Sequence, residues 1–201
     1  TTSKSGVNIH DAFDSKRMMI MVVIALFPAF LFGSYNVGYQ HYMLSGLDGS
    51  VWNMFLFGFL AVLPRLIVSY AVGLTIEFIV AQWKKQEIHE GFLVTGFIIP
   101  LIIPATCPLW ILALAVAFAV IFAKELFGGT GMNFLNVALI ARAFIFFAYP
   151  TVITGETVWV VDHSILGLGA DMDGLTAATP LGIASTTAAA PEFNMNMVWG
   201  L

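Results

Sequence analysis

The sequence predicts an all-α integral membrane protein with about five transmembrane segments, some of them broken or half helices. Of its 201 residues, 59% are hydrophobic and only 10% are charged. A soluble domain carries roughly a quarter charged residues and about half apolar ones. The apolar residues are also gathered into long runs, as a chain that crosses a bilayer requires. The deficit in charge, rather than the length, decides the fold class.

The first two apolar runs are long enough to cross a membrane. Residues 18–37 match a hydrocarbon core of about 30 Å, because a helix rises about 1.5 Å per residue. Residues 52–81 exceed that length, so this helix must tilt, kink or extend beyond the membrane. Pro64 is the expected kink, since proline removes one helix hydrogen bond and crowds the preceding turn. We expect the connection between the two helices at 40–50.

The later runs are shorter or interrupted. Residues 91–103 are too few to span alone and are broken by proline, 109–127 span again, and about 134–152 follow the glycine-rich turn at 128–131. Irregular backbone at membrane depth survives only where it lines a cavity or is buried in protein. Transporter folds built from inverted repeats use such broken helices. We therefore expect one half of an inverted-repeat bundle, and we expect the protein to continue beyond the hydrophobic start at 199–201.

The distribution of cations predicts the orientation. Residues 40–50 and 154–201 contain no Lys or Arg. By the positive-inside rule, the cation-bearing side is cytoplasmic. The prediction is a cytoplasmic segment at 1–17, a transmembrane bundle at 18–153 and a periplasmic loop at 154–201. The cations on which this rests flank the first, second and fourth helices: Lys16, Arg17, Lys84, Lys85 and Lys124.

Several classes of function are disfavoured. The net charge is −4 and the cations form no basic face, so we expect no nucleic-acid partner. The single cysteine, Cys107, excludes an intrachain disulfide and a cysteine-only metal site. The four histidines share no ligand spacing, so no metal site is expected within this chain.

The most specific motif lies in the last segment, where residues 173–181 read DGLTAATPL. It resembles the flavinylation signal, an Asp followed by [Ser/Thr]-x-Ala-[Thr/Ser], at which a flavin transferase attaches FMN through a phosphoester to the last hydroxyl. The resemblance makes Thr179 the attachment residue and assigns Asp173, Thr176 and Ala178 to the motif. The alternative is an ordinary polar loop, in which such residues are common.

Several further blocks, in order along the chain, resemble the B subunit of the sodium-translocating NADH:quinone oxidoreductases. They are EGFLVTG at 90–96, KELFGGTGMNFLN at 124–136, RAF at 142–144 and FFAYP at 146–150. The resemblance extends from about residue 14 to about residue 181. Two departures are a longer stretch at 162–172 before the flavin motif and Val137 where the family has proline.

The resemblance implies a membrane protein of the bacterial inner membrane that works beside the other components of a redox complex. Such a protein receives electrons on covalent FMN and passes them through noncovalent riboflavin to ubiquinone, coupled to Na⁺ export. One alternative is the D subunit of the related Rnf ferredoxin:NAD complex, although the blocks at 142–150 and before Asn133 favour the quinone enzyme. Another alternative is a channel or transporter of the inverted-repeat kind that carries no flavin.

The resemblance also implies a riboflavin site at Asn133 and Asn136. The two residues are three positions apart, so we predict that they share one helical face. Asn is also a favoured residue at a helix N-cap. Ligand binding and capping remain equal alternatives for Asn133, whereas ligand binding is favoured for Asn136.

Ionisable residues inside apolar runs are hypotheses of function by default, because burying them in a bilayer is costly. The resemblance places Glu77 near a quinone or cation site, and Gly73, four residues earlier, is predicted to open that face to a flat ligand. The alternative is that Glu77 is solvated near Lys84 at the interface. Arg65 and Arg142 are expected to pair with carboxylates or backbone carbonyls, and Arg142 could instead neutralise a reduced flavin.

Overall fold

The structure is a computed structural model that describes residues 15–47, 49–85, 91–129, 132–155 and 157–172. Within these ranges the regular elements are helices, and one isolated bridge joins Ile165 to Leu168. The prediction of an all-α membrane protein is confirmed. The six α-helices are α1 (Ser15–Ser45), α2 (Val51–Lys84), α3 (Phe92–Ile102), α4 (Leu109–Ala119), α5 (Val137–Ala148) and α6 (Pro150–Ile153).

In the part of the chain that the structure describes, three helical stretches are long and apolar enough to cross a membrane: Arg17–Ser45, Val51–Lys84 and Leu109–Phe127. The last combines α4 with a π-helical turn, Val120–Lys124, and a short 3₁₀ turn, Glu125–Phe127. In contrast, α3 has 11 residues and α5 has 12. Each short helix rises only about 16–18 Å, roughly half of a hydrocarbon core. The bundle therefore combines spanning helices with half helices, as predicted.

Two predicted boundaries need correction. The connection between α1 and α2 was expected at 40–50, but α1 continues to Ser45, because His41 and Tyr42 are buried in the bundle. The fifth helix was expected from about 134 and begins at Val137; it is interrupted at Tyr149, where Pro150 starts α6. The second helix, in contrast, continues through its internal proline without a break.

The backbones of α1 and α2 touch through two glycines. A Cβ atom added to Gly58 would lie 1.7 Å from the carbonyl oxygen of Ser34, and one added to Gly38 would lie 1.8 Å from that of Met54. Small residues are what allow membrane helices to approach this closely. The two glycines therefore determine the spacing of the α1–α2 hairpin.

The main core lies between α2, α3, α4 and α5. Its centre consists of small and aliphatic side chains that are fully buried, among them Ile99, Leu112, Ala115, Val116, Ala141 and Ile145. On the outer surface, large apolar side chains such as Phe147 and Trp83 are more than four-fifths exposed. An apolar outer surface is what a lipid environment favours. Ser69 joins two helices of this core, since its hydroxyl donates to the carbonyl of Gly96 at 3.0 Å.

The α1–α2 contact predicts that the stability of the protein is sensitive to a methyl group at Gly58. Gly58→Ala should lower the thermal unfolding temperature of the full-length protein in detergent, because the new methyl group forces two backbones apart, at a cost of about 1–3 kcal/mol or more. Gly33→Ala is the matched control on α1, since a Cβ there meets no heavy atom within 4 Å. Equal unfolding temperatures of the two variants would contradict a close approach of the two backbones at Gly58.

Candidate functional site

Two lysine–glutamate pairs lie at one end of the bundle, formed by the last turns of α2 and α4 and the first turns of α3 and α5; we call it the Lys124 end. Here the ammonium of Lys124 donates to Oε1 of Glu77. The side chains are only 7% and 5% exposed, respectively, so this is a buried ion pair. It joins α2 to the end of α4 across 47 residues of sequence.

The local backbone explains how Lys124 reaches this position. Lys124 ends the π-helical turn, a widened turn that changes the direction of side chains and is frequent at functional sites. The chain then reverses at Gly128 and Gly129, whose φ angles are +107° and +95°. The N–H of Gly129 donates to the carbonyl of Lys124 at 3.0 Å, which closes the helix end. Residues other than glycine rarely adopt these φ angles, so the turn requires the Gly-Gly pair.

A second ion pair lies beside the first and is more exposed. Lys84 Nζ lies 3.3 Å from Glu125 Oε2 and donates to the carbonyl of Glu125 at 2.7 Å. Glu77 and Lys84 are seven residues apart, which is two helical turns, and they face Lys124 and Glu125 with opposite charges. The two pairs together carry no net charge.

The prediction that Gly73 opens a face of α2 to a flat ligand is wrong. A Cβ on Gly73 would lie 1.9 Å from Cζ of Phe92, so the aromatic ring of α3 occupies the space that the glycine leaves. The centroid of the same ring lies 5.8 Å from Nζ of Lys124. Gly73 thus admits Phe92, and Phe92 in turn covers the buried ammonium with an aromatic face, an arrangement that stabilises a cation.

The solvated alternative for Glu77 is also wrong. The residue is 4% exposed, although Lys84 and Lys85 follow it closely in sequence. A carboxylate in such surroundings needs a paired charge or hydrogen bonds. Lys124 supplies that charge. The sequence did not reveal this partner, because Lys124 was used only to predict the orientation of the chain in the membrane.

Asn133 and Asn136 do not share a helical face, because α5 begins only at Val137. Asn136 is the N-cap: its Oδ1 accepts from the N–H groups of Ala138 at 3.0 Å and Leu139 at 3.3 Å. Asn133 donates from Nδ2 to the carbonyl of Leu135 at 3.0 Å. The capping alternative therefore holds for Asn136, and both residues lie in the turn that leads into α5.

The two arginines bind backbone carbonyls, one of the two kinds of partner predicted for them. Arg65 is buried and its guanidinium donates to the carbonyl of Ala61, one turn back in the helix next to Pro64. Arg142 donates to the carbonyl of Ile102 at 3.1 Å, where α3 ends, and its guanidinium carbon lies 6.0 Å from the ring of Trp159.

The flavinylation motif lies outside the described residues, including Asp173, Thr176, Ala178 and Thr179. The chain that leads to it is described as far as Met172. It packs against the opposite end of the bundle from Lys124, with Val160 and Val161 buried. The hydroxyl of Thr106, in the α3–α4 connection, donates to the carbonyl of Val158 at 2.7 Å and helps to hold this segment.

Comparison with known proteins decides the family. The model of the NQR2, RnfD, RnfE family matches residues 2–201. The chain belongs to this family.

Curated relatives agree with that assignment, and each of the following is named as the B subunit of a Na(+)-translocating NADH-quinone reductase. The protein of Chromohalobacter salexigens is 40% identical over 206 residues, which cover 92% of this chain and 48% of the relative. That of Neisseria meningitidis serogroup A is 41% identical over 204 residues, covering 89% and 47%. That of Ectopseudomonas mendocina is 36% identical over 222 residues, covering 99% and 53%. The chain thus spans about half the length of the curated relatives it matches.

The buried ion pair predicts that the two lysines contribute unequally to stability. Lys124→Met should destabilise the full-length protein by about 3–5 kcal/mol, because it leaves the Glu77 carboxylate buried without its counter-charge. Lys84→Met is the control: it removes the outer pair, whose lysine is 35% exposed, and should cost at most about 1 kcal/mol. Thermal unfolding in detergent measures both, and equal losses would contradict the burial of the inner pair.

Proposed function

We propose that the chain is part of the membrane component of a sodium-translocating NADH:quinone reductase. The observation that carries the proposal is the 36–41% identity to proteins named as the B subunit of that enzyme, over 89–99% of this chain. In this role the protein is an enzyme component that works with the other subunits of the complex in the bacterial inner membrane.

Thr179 is the proposed attachment site of FMN, through a phosphoester made by a flavin transferase. The support is the motif at 173–179, DGLTAAT, in which every required residue type stands at its expected spacing. When bound, FMN supplies electron transfer. The lack of Lys and Arg at 154–201 supports a periplasmic position for this segment, with the N-terminus in the cytoplasm.

Noncovalent riboflavin is proposed at the turn before α5. Capping by Asn136 uses its Oδ1 and not its amino group, and that amino group is the donor that a flavin carbonyl requires. Asn133 lies in the same turn. Phe127 and Phe134 pack edge to face there, with ring centroids 4.7 Å apart, which provides an aromatic wall beside the two amides. Arg142, whose guanidinium lies where α3 ends and beside Trp159, is a separate proposal as the charge partner of a reduced flavin.

Glu77 is proposed to contribute to a quinone or Na⁺ site, and Gly73 to act there only by admitting the ring of Phe92. The contact with Lys124 affects the Na⁺ alternative, because Na⁺ and the ammonium are both positive and compete for the same carboxylate. A quinone carbonyl, in contrast, could accept a hydrogen bond from the ammonium of Lys124 without separating the pair.

A second candidate is the D subunit of an Rnf complex, which serves ferredoxin and NAD. The observation that favours it is that the family description includes RnfD. The names of the curated relatives favour the quinone enzyme. A protein that contains covalent flavin but reduces no quinone in its complex would support the Rnf alternative, whereas one without covalent flavin would support a plain channel or transporter.

The flavin proposal predicts that Thr179→Val abolishes covalent flavin and leaves membrane insertion intact, because only the hydroxyl is needed for the phosphoester. The test is flavin fluorescence of the denatured full-length protein in a gel, after expression with the flavin transferase. Thr187→Val, a hydroxyl outside the motif, is the control and should stay fluorescent. Fluorescence of the Thr179 variant would move the attachment to another residue, Thr176 first.

The quinone or sodium proposal predicts that Glu77→Gln alters quinone reduction or its Na⁺ dependence in the assembled complex. The double variant Glu77→Gln/Lys124→Met separates function from folding, since it leaves neither charge buried alone. If the double variant recovers stability but not the parent's kinetics, the charges have a functional role. Parent-like quinone reduction and Na⁺ dependence in the double variant would limit the pair to stabilising the fold.

A further inference from the structure

His41, near the end of α1, is fully buried and bonds to two separate points of the chain beyond α6. Its Nδ1 lies 2.7 Å from the carbonyl oxygen of Val161, and its Nε2 accepts from the N–H of Ala170 at 3.1 Å. An imidazole nitrogen that accepts from a backbone N–H carries no proton itself, so the proton is on Nδ1 and is donated to Val161. Both ring nitrogens are thus used in holding one loop.

The bundle fixes the position of this imidazole. Its ring stacks on Phe57 of α2, with centroids 4.0 Å apart and planes inclined by 20°. Phe57 is itself fully buried, and Tyr42 packs edge-on against both rings. The two hydrogen bonds therefore start from a rigid platform formed by α1 and α2.

The segment that His41 holds, residues 161–172, is a closed loop. The N–H of Met172 donates to the carbonyl of Asp162 at 2.8 Å, which brings its two ends together. At its tip, Leu166 and Gly167 have φ angles of +50° and +82°, and the flanking residues exchange two hydrogen bonds, as in a tight hairpin turn.

A carboxylate closes the loop further. Asp171 Oδ1 accepts from the N–H of Ser164 at 2.7 Å. This hydrogen bond favours the charged form and lowers the pKa of Asp171 below its ordinary value. The loop therefore keeps this bond at neutral pH, where the carboxylate is ionised.

Gly169 shows how closely the loop backbone lies against the imidazole. A Cβ at this position would be 2.3 Å from Nε2 of His41, and the φ angle is +80°. Gly167 has nearly the same φ angle, but a Cβ there meets nothing within 4 Å. The two glycines thus share the same backbone requirement and differ in their contact with His41.

We propose that His41 is a positioning residue for the flavin-bearing segment: by holding Val161 and Ala170, it fixes the point from which the chain leaves the bundle toward Thr179. The proposal rests on the proposed function, in which Thr179 carries FMN. Thr179 is nine residues beyond Ala170, and a fully extended chain of nine residues spans at most about 32 Å. The fixed point at Ala170 therefore limits how far the flavin can lie from this end of the bundle.

Without the imidazole, the loop loses both hydrogen bonds to α1, although its own closing bonds at Met172 and Ser164 remain. It then stays on the bundle only through apolar contacts, among them those of Val161, Ile165 and Leu168. Apolar contacts are not directional, so the point of departure at Ala170 should be fixed less closely. Electron transfer to the flavin on Thr179 should then slow.

The experiment uses the full-length protein in its assembled complex, with three variants. His41→Phe keeps a ring on Phe57 but removes both hydrogen bonds, and Gly169→Ala disturbs the same contact from the loop. Gly167→Ala is the matched control for backbone strain. The measurements are in-gel flavin fluorescence, the unfolding temperature, the fluorescence anisotropy of the covalent flavin, and the rate of its reduction by NADH.

We expect His41→Phe and Gly169→Ala to lower both the rate of flavin reduction and the flavin anisotropy, with covalent flavin still attached. Gly167→Ala should match the parent. Parent-like rates and anisotropy in the first two variants, or an equal loss in Gly167→Ala, would overturn the proposal. Should His41→Phe fail to fold, the comparison of the two glycine variants decides alone. A parent protein without covalent flavin would instead refute the proposed function, which is a separate outcome.

Discussion

The carboxylate of Glu77 and the ammonium of Lys124 can lie inside this apolar bundle only together, and the geometry of one end depends on that pair. Each charge alone would be costly to remove from water. Their contact requires the π-helical turn that ends in Lys124, and that turn is closed by the left-handed glycines that follow it. Phe92 then covers the ammonium, and it fits only because Gly73 has no side chain. The residues of this end are therefore interdependent, so substitutions among them should not be additive.

A second constraint, the need of backbone groups for partners at membrane depth, explains where the other polar side chains are used. In the described residues, Arg142 donates to the carbonyl where α3 ends, Asn136 accepts from the first N–H groups of α5, and Thr106 and His41 bond to the segment after α6. Each of these bonds lies next to a break in a helix. The half helices are tolerated because side chains satisfy the backbone groups that a continuous helix would pair internally.

The sequence predicted what depends on composition and on short spacing. The apolar runs indicated the spanning and half helices, and the arginines were expected on carboxylates or backbone carbonyls. What could not be predicted depends on contacts between distant residues: Glu77 meets a lysine 47 positions away, and His41 meets Ala170 across 129 positions. The space beside Gly73 looked open because nothing in a single helix shows which ring fills it. The helical face expected for Asn133 and Asn136 failed for a local reason, since an Asn that caps a helix starts it rather than lying within it.

The separation of the two ends of the bundle determines the distance that an electron path through it must cover. Phe57, which supports His41, and Glu77, which pairs with Lys124, are twenty residues apart on α2, or about 30 Å along the helix. On the proposed function, the segment that carries FMN leaves from the first end, whereas the riboflavin turn before α5 lies at the second. Electrons that pass between the two flavins must then cross roughly the thickness of the hydrocarbon core. Moving one charge through a membrane potential is worth about 2.3 kcal/mol per 100 mV. The path between the flavins would therefore itself be sensitive to voltage, which links electron transfer to ion movement without requiring the two to share a site.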